Sequence, residues 1–120
     1  MSESETASPI LALVRDLMFS SQIMAEARAA QASVKIIRDP AEVEKFAQSP
    51  AQLMIVDLNL AGAIPAAAAW GKGPGRSVVG FVSHVDAEAI SQAKLAGIDQ
   101  VIARSRFVQI LPNLVRGKIT

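Results

Sequence analysis

Apolar residues gather in five short runs, at 10–14, 34–37, 53–56, 78–82 and 101–103. Each is rich in Val, Ile or Leu and too short for a helix that could stand alone, so each predicts a strand. The runs are mostly apolar rather than alternating, as in parallel strands covered on both faces.

Helical spacing fills the gaps between them. Over 21–31, Ile23, Ala27 and Ala30 form a stripe, with Glu26 and Arg28 off it. A second helix is predicted from Asp39 as N-cap, with Pro40 in the first turn and Glu42 at the capping-box position. Its body runs through Val43 and Phe46 to about Gln48, where Pro50 helps to end it. A third, alanine-rich segment covers 63–70 and is broken by Gly71, Gly73, Pro74 and Gly75. A fourth opens at Asp86, places Ile90 and Ala93 on one face and stops at Gly97, a favourable residue just past a helix end. The last starts near Ser105 and carries Phe107, Ile110, Leu111 and Leu114; Pro112 predicts that it is short, kinked or broken. Strand and helix thus alternate five times. That order predicts an α/β fold with right-handed crossovers and helices on both faces of a parallel sheet.

Composition narrows the function classes. A chain of 120 residues suits one domain, read as 9–118 behind a polar tail at 1–8. Hydrophobic residues make up 51% of it, and the mean hydropathy is +0.32, as a sheet buried on both faces requires. A net charge of +1, one Trp and no Tyr provide neither the basic footprint nor the stacking surface of a nucleic-acid binder. No apolar run is long enough to span a bilayer. The N-terminus lacks the basic and apolar regions of a signal peptide, which leads us to expect a cytoplasmic protein. Cysteine is absent, which removes disulfide and thiol chemistry.

The most informative residue is Asp57. It closes the apolar run Leu53-Met54-Ile55-Val56, so it stands at the C-terminal edge of the sheet, where open α/β sheets bind ligands. Here the residues resemble the receiver domain of bacterial response regulators over roughly 10–115. Met54-Ile55-Val56-Asp57-Leu58-Asn59-Leu60, with Gly62 beyond, is similar to the receiver strand that ends in the phospho-accepting aspartate. Phe81-Val82-Ser83-His84 is similar to the fourth strand and its phosphoryl-sensing Ser or Thr. Ala96-Gly97-Ile98-Asp99 resembles the turn before the fifth strand. The resemblance implies a three-layer α/β/α, flavodoxin-like (CheY-like) fold with strand order 2-1-3-4-5 and about five helices. It also implies Asp57 as phosphoacceptor position, Ser83 and Arg104 as phosphate-contact or switch positions, and Asp16, Asp57 and the Asn59 carbonyl as a magnesium site.

Two departures change that chemistry. Receivers end their first strand in two adjacent acids; this chain reads Val14-Arg15-Asp16, one acid and one arginine. Receivers end their fifth strand in a lysine, usually before proline; this chain reads Ile102-Ala103-Arg104-Ser105. Magnesium is held by one or two carboxylates plus phosphate oxygens. Two unit charges about 4 Å apart interact by roughly 4 kcal/mol at an effective dielectric near 20. Replacing an attractive acid by Arg15 is therefore expected to weaken Mg²⁺ binding, and less so if Arg15 points to solvent. Arg104 could clamp phosphate oxygens, or pair permanently with Asp57 or Asp16.

Other motifs carry less. Gly71-Lys72-Gly73-Pro74-Gly75-Arg76 looks like a phosphate cradle, but it follows a helix and precedes a strand, the reverse of the nucleotide-binding order. Lys72 and Arg76 are read there as solvated. Ser83, His84 and Asp86 are too close in sequence to form a triad, and lone His84 is read as a loop residue.

The expectation is a stand-alone, non-enzymatic pseudo-receiver that signals by binding a protein. The partner would be a histidine kinase or downstream target. It would use the surface of the fourth helix, fifth strand and fifth helix, with Gln92, Lys94, Arg106, Gln109 and Asn113 exposed; a homodimer could use the same face. The alternatives are a working phosphoacceptor in a two-component relay and a flavodoxin-like binder of a small molecule or nucleotide.

Overall fold

The computed structural model describes residues 9–83 and 86–117. The expected tail at 1–8 and His84 lie outside them. Five strands, β1 (Ile10–Leu13), β2 (Val34–Ile37), β3 (Leu53–Asp57), β4 (Ser77–Val82) and β5 (Gln100–Ala103), form one sheet in the order β2-β1-β3-β4-β5. Every pairing is parallel, with Ile10 opposite both Val34 and Leu53, and Asp57 opposite Phe81. The helices are α1 (Leu17–Ala29), α2 (Ala63–Gly71), α3 (Ala87–Ala96) and α4 (Arg104–Val115), with a 3-10 helix, Pro40–Phe46, between β2 and β3.

Successive strand residues point to opposite faces, and the core divides accordingly. Ile10, Ala12, Ile55, Val79 and Phe81 meet Phe19, Ile23 and Ala27 of α1 and Phe107, Leu111 and Leu114 of α4. Leu11, Leu13, Met54, Val56 and Val78 meet Val43, Ala67, Trp70 and Ala93 on the other face. Phe19, Phe81 and Phe107 pack ring against ring, with centroids 4.8 to 5.7 Å apart. That cluster lies directly under the C-terminal edge that carries Asp57.

Three elements differ from expectation. First, α1 begins at Leu17 rather than Ser21, because Asp16 caps it: Phe19 N–H donates to Asp16 Oδ1 at 3.0 Å. The extra turn brings Phe19 onto the stripe of Ile23 and Ala27. Second, the segment after Asp39 is a 3-10 helix rather than an α-helix. Asp39 does accept from Ala41 N–H at 3.0 Å and Pro40 opens the first turn. Glu42, however, pairs with Lys45 at 4.0 Å. In a 3-10 helix residues three apart eclipse, so Pro40, Val43 and Phe46 share one face, with Val43 buried. Third, α4 runs unbroken through Pro112 for 12 residues. α3 matches its caps: Asp86 accepts from Ala89 N–H at 3.1 Å, and Gly97 sits at φ +93°, where side chains are strained. No helix among the described residues is long and apolar enough to cross a membrane.

Candidate functional site

The parallel strands all end at one edge, and the sequence-predicted residues collect there. Asp57 is the last residue of β3 and is half-buried. Its Oδ1 accepts from the Asn59 backbone N–H at 2.9 Å. This bond tightens the turn after β3, and Leu60 N–H closes it by donating to the Asp57 carbonyl at 3.2 Å. Gly62, at φ +82°, then leads into α2.

Ser83 follows β4 at the same edge and is exposed. Its backbone N–H donates to the Asn59 side-chain Oδ1 at 2.7 Å, so Asn59 ties the loop after β3 to the loop after β4. The Asn59 Nδ2 is buried and has no hydrogen-bond partner. The receiver resemblance assigns Asn59 a role through its carbonyl; its side chain is what bridges the two loops. An Asn two residues past a strand-end acid is the signal for such a loop tie, since its amide offers both donor and acceptor.

Arg104 opens α4 directly after β5. Its Nη2 lies 3.8 Å from Asp16 Oδ2, with side-chain exposures of 36% and 46%, and its guanidinium stacks 4.1 Å from the centre of the Phe19 ring. Asp16 therefore serves two partners, the N–H of Phe19 and the guanidinium of Arg104. The sequence gives no sign of this aromatic support, because the helix it predicts starts at Ser21, beyond Phe19. Arg15 turns the other way. Its Nε donates to the Arg38 carbonyl at 3.3 Å while Arg38 Nη1 donates to the Arg15 carbonyl at 3.1 Å. This crossed pair joins the ends of β1 and β2, with both side chains exposed.

Of the residues expected to hold a divalent cation, Asp16 is engaged by a cap and a guanidinium, and the neighbouring Arg15 is turned to the Arg38 carbonyl. Among the described residues, no group of three or more His, Asp or Glu could hold a metal ion.

The glycine-rich segment lies away from this edge, since it precedes β4. Arg76 is not solvated there. Its Nη1 donates to the Trp70 carbonyl at 2.9 Å and its Nη2 to the Ala47 and Ser49 carbonyls at 2.7 and 3.2 Å. The guanidinium also lies 4.5 Å from the Trp70 ring centre. A Cβ on Gly73 would meet the Arg76 side chain at 2.6 Å, so glycine there makes room for the arginine. Five planar donors suit such convergence on carbonyls, and a count of loop residues does not reveal it.

Neither a protein-family model nor a curated protein matches the sequence. Solved structures do. The orphan response regulator HP1043 of H. pylori superposes with a TM-score of 0.77 at 14% identity, over 95% of this chain and 98% of its own. A CheY-like receiver domain protein from Methanospirillum hungatei JF-1 gives 0.76 at 15% identity, over 94% and 97%. The chain has the response-regulator receiver fold. The Mn(2+)-bound form of response regulator Rcp1 is similar as well, with a TM-score of 0.71 at 19% identity over 92% of this chain and 91% of that one. Asp57, Asp16, Ser83 and Arg104 all lie at the C-terminal edge of the sheet. The five residues proposed for a partner surface, Gln92 and Lys94 on α3 and Arg106, Gln109 and Asn113 on α4, are all exposed.

Proposed function

We propose that this chain is a receiver-like signalling module of a two-component system that acts by binding a protein partner rather than by catalysis, with a weakened metal and phosphoryl site. The observation that carries this reading is the Arg104–Asp16 ion pair. The acid that would help to hold a cation is neutralised from within, and the cation that would meet a phosphoryl group is already paired. Phosphoryl transfer to a carboxylate depends on positioning and charge neutralisation. The pair supplies part of that neutralisation without the phosphoryl group. The partner surface is the α3–β5–α4 face, where Leu95 is 86% exposed among polar neighbours; a kinase, a downstream target or a second copy would dock there.

Acetyl phosphate or beryllofluoride with Mg²⁺ tests the reading. No mass gain and no shift of the amide signals around Asp57 are expected. A stable mass gain at Asp57 that disappears in Asp57→Asn would establish the second reading, a working phosphoacceptor. That alternative draws support from Asp57 itself, which ends β3 at the correct edge with Ser83 across from it. A nucleotide-binding flavodoxin-like role is disfavoured by Arg76, whose donors are directed to backbone carbonyls.

A further inference from the structure

A cleft runs between the 3-10 helix and α2, from Pro40 and Gly62, beside the Asp57 turn, to Ala47 and Arg76. It is open to solvent, with a volume of about 580 Å³, and is lined mainly by Pro40, Val43, Pro65, Ala66, Ala69 and Trp70. Its origin is local. The 3-10 segment is short and narrow, and the facing surface of α2 is alanine, so the two elements leave space that longer side chains would fill. The volume falls within the range of about 300–1,000 Å³ typical of small-molecule sites, which are apolar with few polar groups.

The charges on the wall select the ligand. Arg76 lines the cavity, but its guanidinium is committed to three carbonyls and to the Trp70 face. Trp70 is 4% exposed, and its Nε1 donates to the Phe46 carbonyl at 3.2 Å. Glu44 also lines the cavity. Among the described residues no cation pairs with it, since Lys45 pairs with Glu42. The wall therefore offers an apolar body and one uncommitted carboxylate. We propose that this cleft binds a small organic amine, with its ammonium group at Glu44 and its apolar body against Val43, Ala66 and Trp70.

Trp70 is the only tryptophan in the chain, and there is no tyrosine, so the emission of the intact protein reports on this cavity directly. The probes are 2-phenylethylamine and the anion of similar size, 3-phenylpropionate. The amine is expected to change Trp70 emission saturably in the millimolar range. The carboxylate should bind about three- to fivefold more weakly, as one partly exposed charge pair allows. Glu44→Gln should abolish that difference. Ala69→Leu, at an exposed helical position that tolerates leucine, should weaken both ligands by narrowing the cleft. Three results would each overturn the proposal: no saturable response to the amine, equal or tighter binding of the carboxylate, or amine binding unchanged in Ala69→Leu.

Discussion

Arg104 reaches from the start of α4 to Asp16 at the start of α1, joining the two helices that cover one face of the sheet. The ion pair spans 3.8 Å, and the guanidinium lies over the Phe19 ring at 4.1 Å. Both side chains are more than a third exposed, so the ion pair alone is worth only about 0.2–1 kcal/mol. The stacking adds about 0.5–1 kcal/mol at an exposed site. Arg104→Ala should therefore lower unfolding stability in urea by about 1 kcal/mol. Asp16→Ala should cost more, because it also removes a helix cap worth about 0.5–2 kcal/mol. Arg104→Lys should recover part of the ion pair and little of the planar stacking. Equal stability of all three variants and the parent would show that the pair holds nothing in place.

The Asn59 side chain ties Ser83 to the turn after β3 at 2.7 Å. Asn59→Ala should free the Ser83 amide and speed its hydrogen exchange, while β4 amides such as Val79 keep their protection. The stability loss should stay near or below about 1 kcal/mol, because the substitution also removes the buried, unpaired Asn59 Nδ2. If Ser83 exchange is unchanged, the loop is held by something other than Asn59.

Gly80 lies inside β4, and a Cβ there would meet the Leu58 side chain at 2.6 to 2.8 Å. Leu58 is 3% exposed, with little room to retreat. Gly80→Ala is expected to destabilise the protein by about 1–3 kcal/mol through overpacking. In the Leu58→Ala background the same change should cost much less. A double-mutant cycle in urea measures the difference; purely additive costs would mean that Leu58 is not the obstacle.

The strand order was legible only through the resemblance to receivers, but the layers were legible because each strand is a short, mostly apolar run followed by a helical stripe. Asp57 was legible for the same reason: it is the polar residue at which such a run stops. What the sequence hid depends on side chains that reach across elements. Asp16 was legible as a candidate cation ligand but not as the cap of α1, a role open to a short acid before Leu17 because it satisfies free helix N–H groups there. Arg76 read as a solvated loop charge, yet it gathers carbonyls from residues far behind it in sequence. Pro112 read as the sign of a short, kinked or broken helix. α4 nonetheless runs on through it, with Leu111, Leu114 and Val115 buried around the proline.

Arg15 sets the sharpest test of the proposed weakening of the metal site. It is exposed and directed to the Arg38 carbonyl, so Arg15→Asp removes one positive charge near Asp57 and Asp16 without opening the core. It also places a second acid beside Asp16. The removed positive charge and the added negative one act in the same direction on a cation, and solvent exposure reduces each contribution. A gain in Mg²⁺ affinity of about ten- to a hundredfold is expected, or about 1.4–2.7 kcal/mol. Titration calorimetry with Mg²⁺ measures it, and Mn²⁺ broadening of the Asp57 and Asn59 amide signals locates it. Adding Arg104→Lys, which loosens the hold on Asp16, should raise the affinity again. If the parent chain already binds Mg²⁺ as tightly as Arg15→Asp, the arginine does not repel the cation, and the phosphoacceptor reading of Asp57 takes precedence.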